Sequence, residues 1–219
     1  IFVVTPCFNS ASTIDQTIVS VLSQAGPFEL HYHIQDGGST DDTVERLRQW
    51  SDRINSGQHT SFCEAIHFSY ESDPDAGMYD AIRRGFESFD LANEDWLTWI
   101  NSDDILAPGA CALMALIDGD EQSDSISWVS GTAAIIRNGT VVSNAQRLVS
   151  SEVAKLGICD GHHWEFLQQE GTFFRAKLWR TIDPALDFAN FRLAGDWNLW
   201  RLFAHEADLY QVMHALGYF

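Results

Sequence analysis

The sequence predicts an α/β fold built on a parallel sheet, and three observations predict it. Short apolar runs alternate with stretches of helical periodicity in units of about 30 residues, the size of a βαβ crossover. Four of the strand-like runs end in polar or acidic residues: Thr5 and Asn9, Asp36, Asp73 and Asp75, and Asp103 and Asp104. The content is 45% hydrophobic and 12% aromatic, that of a packed globular protein. Right-handed crossovers make such strands parallel and bring all four ends to one sheet edge. Open α/β sheets bind their ligands at that edge. Four polar ends converging there are most simply explained by one nucleotide-sized site.

Taken in order, Ile1-Phe2-Val3-Val4 is the first strand, followed by Thr5-Pro6-Cys7-Phe8-Asn9. Ser12 with Asp15 three residues on resembles a capping box, and Ile14, Ile18, Val21 and Leu22 form a helical stripe. His31–Gln35 reads as the second strand, ending at Asp36-Gly37-Gly38-Ser39-Thr40. Asp41 or Asp42 opens the next helix, with Val44 and Leu47 inward. Ala65–Tyr70 is the third strand, and the helix after it carries Met78, Ile82, Phe86 and Phe89 on one face. Trp96–Ile100 is the fourth strand.

The second half is less regular. Asp118–Ser125 reads as an acidic loop, and Ser127–Ile136 and Thr140–Ser143 as a hairpin about Asn138-Gly139. Asn138-Gly139-Thr140 is also a glycosylation sequon, but no secretory signal accompanies it, so the turn is the expectation. Val153–Gln168 is helical or irregular, Gln169–Arg175 returns as a strand, and Gly195-Asp196 opens a last helix with Trp197, Trp200 and Phe203 in one stripe. No internal repeat or linker divides the 219 residues, so one domain is expected. Ile1 and Phe219 both lie within apolar stretches, as expected of a segment of a longer chain.

The net charge of -18 argues against nucleic acid, whose binding rests on basic contacts to phosphate, and against a polybasic membrane patch. No apolar run is long enough to span a membrane. Four dispersed cysteines without a Cys-x-x-Cys pair fit free thiols in a reducing compartment.

The chemistry concentrates at Asn101-Ser102-Asp103-Asp104, where a buried strand ends. Adjacent carboxylates repel unless a cation or hydrogen-bond donors offset them. Hard divalent cations such as Mg²⁺ or Mn²⁺ take oxygen ligands of this kind. The alternative is a solvated loop in which Asp104 caps the following helix.

Six stretches occur in the order and spacing of family-2 glycosyltransferases, and the chain resembles that family over nearly its whole length. They are Thr5–Asn9, Asp36–Asp41, Asp75–Ala81, Asn101–Asp104, Gln169–Arg175 and Gly195–Trp197. In style it resembles bacterial polysaccharide-assembly enzymes of the colanic-acid type. The resemblance implies a GT-A fold, with a Rossmann-like nucleotide half over about residues 1–106 and a mixed-sheet acceptor half over about 107–219. It implies that Thr5, Pro6 and Phe8 line the base pocket, that Asp36 hydrogen-bonds the nucleobase, and that Asp80 lies near the ribose or donor sugar. Asn101, Ser102 and Asp103 occupy the position of the DXD motif, with Asp103 the direct ligand of Mn²⁺ or Mg²⁺, and Asp196 matches the catalytic base.

Two positions depart from the pattern: Asn101 replaces the first acid of DXD, and Gly195 replaces the acid that often precedes the base. The Gln-x-x-Arg-Trp motif of processive synthases is absent. The expected activity is inverting, non-processive transfer of one sugar from a UDP-sugar, with a GDP-sugar second. The acceptor is a saccharide or lipid-linked saccharide, and the location is the cytoplasm or the inner membrane face. A sugar nucleotidyltransferase is the main rival, although Thr5–Ser10 lacks the glycine-rich phosphate loop such enzymes need. A non-catalytic nucleotide- or sugar-binding domain is the second rival, and it would not require Asp196. A phosphotransferase using a strand-end aspartate fits less well, because Leu106 stands where such sites carry a hydroxyl.

Other features have plainer readings. His31 and His33 share a strand face and are expected to be packed rather than metal-bound. His162-His163 is a loop pair. Trp164 or Trp197 is a candidate for stacking on sugar. Arg175 pairs with either the donor diphosphate or surface acids, and Arg83 and Arg84 form a solvated helix face.

Overall fold

The computed structural model describes residues 1–121, 123–132, 134–137, 140–143 and 148–219, without the side chains of 137 and 143. Its first half follows the expected alternation: β1 (Phe2–Cys7), α1 (Ile14–Leu22), β2 (Gly26–Asp36), α2 (Thr43–Asn55), β3 (Cys63–Ser72), α3 (Met78–Glu87) and β4 (Trp96–Trp99). The second half opens with β5 (Ile105–Leu106), α4 (Ala110–Asp118) and a 3₁₀ turn at Ser123–Ser125. Then come β6 (Trp128–Ser130), β7 (Ala134–Arg137), β8 (Thr140–Ser143), α5 (Ser151–Lys155), β9 (Thr172–Arg175) and α6 (Ala176–Trp179). A π-helical turn at Ala185–Ala189, α7 (Gly195–Glu206), β10 (Tyr210–Gln211) and β11 (Gly217–Tyr218) complete it.

Seven strands form the central sheet in the order β10-β6-β9-β4-β1-β2-β3. Neighbours run parallel except at β9, which is antiparallel to both β4 and β6. The apolar character of β1 follows from burial on both faces. Val4 joins one core cluster with Ile82, Phe86, Trp99, Trp200 and Phe203, while Val3 joins the other with Ile18, Leu30, Leu47 and Met114. After β3 the chain returns past β1 to lay down β4, so the order reverses between β1 and β4. A reversal of this kind opens a crevice at the carboxyl ends of the strands.

Several local expectations are corrected. Thr13, not Ser12, precedes α1 and makes no side-chain cap, and Asp15 instead receives Arg46 Nη1 and Trp50 Nε1 from α2. Ser127–Ile136 is two strands in different sheets. The chain breaks at Gly131, where a Cβ would lie 2.7 Å from both the His214 carbonyl oxygen and the Leu216 nitrogen. β7 and β8 pair as the expected hairpin, and the Asn138-Gly139 turn, with its sequon, lies outside the described residues. Asp104 caps no helix: α4 begins at Ala110 after a left-handed Gly109. Asp118 is no free loop acid, since it ends α4 and accepts from Arg175 Nη2 at 2.6 Å and Trp96 Nε1 at 2.9 Å. That pairing, with the guanidinium 3.8 Å from the Trp96 ring centroid, places Arg175 at the amino end of β4, away from the carboxyl-terminal edge of the parallel strands.

Candidate active site

The carboxyl ends of β1 to β4 enclose a cavity of about 680 Å³. Pro6, Cys7, Phe8 and Ser10 line it from the β1 end, Gly37 from β2, Asp75, Gly77, Met78 and Ala81 from β3 and α3, and Asn101, Ser102 and Asp103 from β4. The β1 and β2 loops are fastened together. Asn9, held at a φ of 52°, accepts from Thr40 N at 2.8 Å and gives its own backbone N–H to Ser39 Oγ at 2.7 Å. Ser10 Oγ meets Ser102 Oγ at 2.7 Å and ties the β4 loop to the same frame.

Pro6, Phe8, Asn101, Ser102 and Asp103 therefore come together as expected, and three other candidates do not. Thr5 is fully buried with its hydroxyl 3.0 Å from Tyr32 Oη, so it supports the sheet and is not part of the lining. Asp36 is also fully buried. Its carboxylate accepts from Gly38 N at 3.1 Å, Ser39 N at 2.9 Å, Ser72 Oγ at 2.6 Å and Ser39 Oγ, so its own loop already uses its acceptors. Asp80 accepts from Arg83 at 2.7 Å, Arg84 at 2.9 Å and Ala76 N at 3.1 Å. Burial alone would raise the Asp80 carboxyl, but the Arg83 hydrogen bond and its other donors hold it below the usual range. Arg83 and Arg84 are thus spent on Asp80 rather than forming a solvated face.

The adjacent acids differ sharply. Asp103 is exposed to the cavity, whereas Asp104 is 2% exposed and accepts from Asn101 Nδ2 at 2.9 Å. Burial, then the Glu170 carboxyl beside it, drives the Asp104 carboxyl far above the usual carboxylate range. Asn101 Nδ2 also lies 3.4 Å from Gln169 Oε1, and its Oδ1 is buried without a hydrogen-bond partner. A buried acceptor left unpaired is costly. An orphaned amide oxygen next to an exposed carboxylate fits a hard divalent cation, which takes oxygen ligands.

Asn101 and Met78 also line a smaller recess of about 80 Å³, together with Tyr79, Trp99, Phe166, Gln169, Glu170 and Asp196. Asp196 stands in the first turn of α7, where Tyr79 Oη donates to its Oδ1 at 3.1 Å. Burial raises the Asp196 carboxyl, against the hydrogen bonds from Trp197 N and Tyr79. Burial, reinforced by Asp196, pushes the Tyr79 hydroxyl up to about 12. Gly195 explains one departure from the family pattern, because a Cβ there would lie 3.0 Å from the Tyr79 ring. An acid at that position would displace the ring that reaches Asp196.

Phe166 and Glu170 open in turn onto an outer cavity of about 390 Å³ with Ile135, Gly161, Glu165, Gln168 and Phe219. His162 and His163 fold over Asp160 in a loop. Trp164 Nε1 donates to Leu148 O and Trp197 Nε1 to Gly157 O. Sequence reasoning placed Asp75 at the strand-end edge but gave it no role, and it did not single out Tyr79, although both lie inside a recognised motif. Asp104 was weighed only as a metal neighbour or a cap.

Residues 2–176 match the sequence profile described as "Glycosyl transferase family 2". A "PGL/p-HBAD biosynthesis glycosyltransferase" of Mycobacterium bovis is 28% identical over 218 residues, which is 98% of this chain and 73% of that protein. Among solved structures, S. aureus TarS 1-349 superposes with a TM-score of 0.67 at 16% identity over 99% of this chain, and this chain spans 59% of it. Its complex with UDP gives 0.60. The mannosyltransferase PcManGT from Pyrobaculum calidifontis, in complex with GDP-Man and Mn²⁺, gives 0.58 at 14% identity over 100% of this chain and 56% of its own. These likenesses show the expected fold, a mostly parallel seven-stranded GT-A sheet.

Proposed function

The chain belongs to glycosyltransferase family 2, and from that premise we propose that it transfers a single sugar from a UDP-sugar to an acceptor hydroxyl, with inversion at the anomeric carbon and no processivity. The observation that carries this reading is the continuity of three recesses. The large cavity shares Asn101 and Met78 with the recess that holds Asp196, and that recess shares Phe166 and Glu170 with the outer cavity. Phe219 lines both the large and the outer cavity, so all three recesses adjoin, which supports a donor, a base and an acceptor meeting there.

In this reading residues 1–106 form the donor half and residues 107–219 the acceptor half. Pro6 and Phe8 supply apolar walls for the base. Asp36 shapes the pocket through the Gly38–Ser39 loop it ties, and Asp75 offers the carboxylate that faces the cavity. Asp103 and Asn101 Oδ1 would hold Mn²⁺, or Mg²⁺ in its place, and when bound the cation offsets negative charge on the departing diphosphate. The UDP and GDP-mannose complexes of the structural neighbours support a nucleotide-sugar donor, with UDP favoured and GDP second. Asp196 takes the acceptor's proton, and its burial moves it from a poor base toward a useful one. Phe166 walls the side from which a saccharide or lipid-linked saccharide enters. Buried, unpaired thiols at Cys7, Cys111 and Cys159 support a reducing, cytoplasmic setting.

Single-turnover transfer by Asp196→Asn, beside UDP affinity and melting temperature, tests the assignment. Loss of the base should slow transfer about 10²–10⁴-fold while donor binding and folding persist. If Asp196→Asn keeps the parent rate and Glu170→Gln loses it, Glu170 is the base.

A further inference from the structure

At the amino end of the sheet, remote from the cavity, Phe2, His31 and His67 occupy one register across β1, β2 and β3. Parallel strands lie about 4.8 Å apart, so in-register rings stack. Phe2 and His31 stack with centroids 4.3 Å apart, and His31 and His67 with centroids 4.4 Å apart. Register alone explains the stack. It does not explain why both imidazoles turn Nε2 toward the same oxygen. Glu29 lies two residues before His31 and so on the same strand face. Its Oε2 is 3.7 Å from His31 Nε2 and 3.2 Å from His67 Nε2.

We propose that Glu29, His31 and His67 form a zinc site that clips the edge strand β3 to β2. The ligand atoms of these three residues all lie within 4.8 Å of one another, the one such group of His, Cys, Asp or Glu among the described residues. Zinc bonds of about 2.0–2.1 Å in a tetrahedron put two ligand atoms about 3.3 Å apart. The two Glu29–histidine separations bracket that value, and the His31 and His67 rings, stacked 16° from parallel, must tilt out of the stack for both Nε2 atoms to point at one ion. Two histidines, one carboxylate and an open fourth position are a known zinc donor set. His31 and His67 line a cleft of about 410 Å³ with Ile54, Asn55 and Phe89. His31 is five residues from Asp36 along β2, about 16 Å at 3.3 Å per residue. The cation would therefore act on the sheet and not on the reacting groups.

The test is Zn²⁺ titration by calorimetry, with Co²⁺ absorption as a spectroscopic stand-in, on tag-free protein without nucleotide. Asp103→Asn serves as a background that silences the proposed catalytic cation position. One Zn²⁺ per chain should bind the parent and Asp103→Asn alike. His67→Ala and Glu29→Gln should each weaken it by at least about 10-fold, the smallest loss typical even of an outer-shell partner. Co²⁺ should give tetrahedral visible bands that His67→Ala removes, while sugar transfer by His67→Ala stays at the parent rate. Zinc should also raise the melting temperature of the parent and not of His67→Ala, because a ligand that binds only the folded state stabilises it. Both altered side chains are more than half exposed, so the variants should fold. Absence of binding in the parent, or equal affinity in His67→Ala, would overturn the site.

Discussion

Removing one oxygen atom, in Tyr79→Phe, should move the acid limb of the transfer pH profile upward. The ring should stay in place, since it packs edge-on to Phe188 at 4.9 Å and against Gly195. What goes is the 3.1 Å hydrogen bond from Tyr79 Oη to Asp196 Oδ1, which favours the ionised carboxylate. Hydrogen bonds to charged groups contribute about 1.5–3 kcal/mol, and 1.36 kcal/mol is one pKa unit. Asp196 is only partly buried within its recess, so the lower end applies, and transfer on the acid limb should slow by about 10-fold. The assay is the rate of UDP release against pH, with the UDP-sugar and acceptor that a donor screen selects. A linked effect follows on stability. The Asp196 carboxyl is raised above its ordinary value of 3.8, so the folded state binds that proton more tightly than the unfolded chain. Its contribution is full below the unfolded pKa and is lost as pH rises through the folded one. Tyr79→Phe raises the folded pKa further, so its melting temperature should fall more steeply than the parent's between acid and neutral pH. Superimposable acid limbs for parent and variant would show either that Tyr79 does not hold Asp196 or that Asp196 is not the base.

Asp103→Asn should weaken UDP binding in the presence of Mn²⁺ and leave metal-free binding unchanged, as calorimetry with and without the ion would show; equal affinity in both conditions removes Asp103 from the metal. Asn101→Asp surrenders the Nδ2 bond to Asp104 and sets a new acid beside it, so the metal-free protein should lose about 1–3 kcal/mol of stability and Mn²⁺ should restore much of it. Asp36→Asn leaves at least one buried loop donor unpaired, for a similar loss in denaturant unfolding, while UDP affinity at a temperature where the variant is folded should change only a few-fold. A complete loss of binding in a stably folded Asp36→Asn would restore a direct contact with the base.

The parallel half was legible because its information is local and periodic. β1 and β4 are apolar runs, β2 and β3 mix apolar with polar residues, and the crossover rule converts their alternation with helices into a shared edge. Pro6 and Phe8 were expected at the crevice from the family resemblance, whereas Asp103 could be placed there by that logic, because lining a strand end needs only position along the strand. Asp36 and Thr5 could not, since whether a polar side chain faces the crevice or turns back into its own loop depends on donors contributed from Ser39, Ser72 and Tyr32. Gly195 showed the same limit: its need is set by the ring of Tyr79, from a helix far earlier in the chain. Trp128–Ser130 and Ala134–Arg137 read as one strand because the cause of their separation, the backbone at His214–Leu216, comes from the other end of the second half. Arg175 was ambiguous in sequence because Asp118 and Trp96 meet it only through the sheet.

The late place of β9 in the chain, beside β4 in the sheet, also has a consequence for how the protein is made. Residues up to Trp99 contain every strand of the β3-β2-β1-β4 block, so that block has its own internal pairing partners as soon as it is synthesised. The outer edge of β4, a Trp-Leu-Thr-Trp ribbon buried in the finished fold, is covered only when Thr172–Arg175 pairs with it. At about 5–20 residues per second, translation from Trp99 to Arg175 takes several seconds. Throughout that interval an apolar strand edge stands open on the nascent chain, the kind of edge that recruits other strands. The demand for chaperone protection therefore falls in one window of synthesis, and fragments that stop before residue 172 should aggregate even though the donor half is complete.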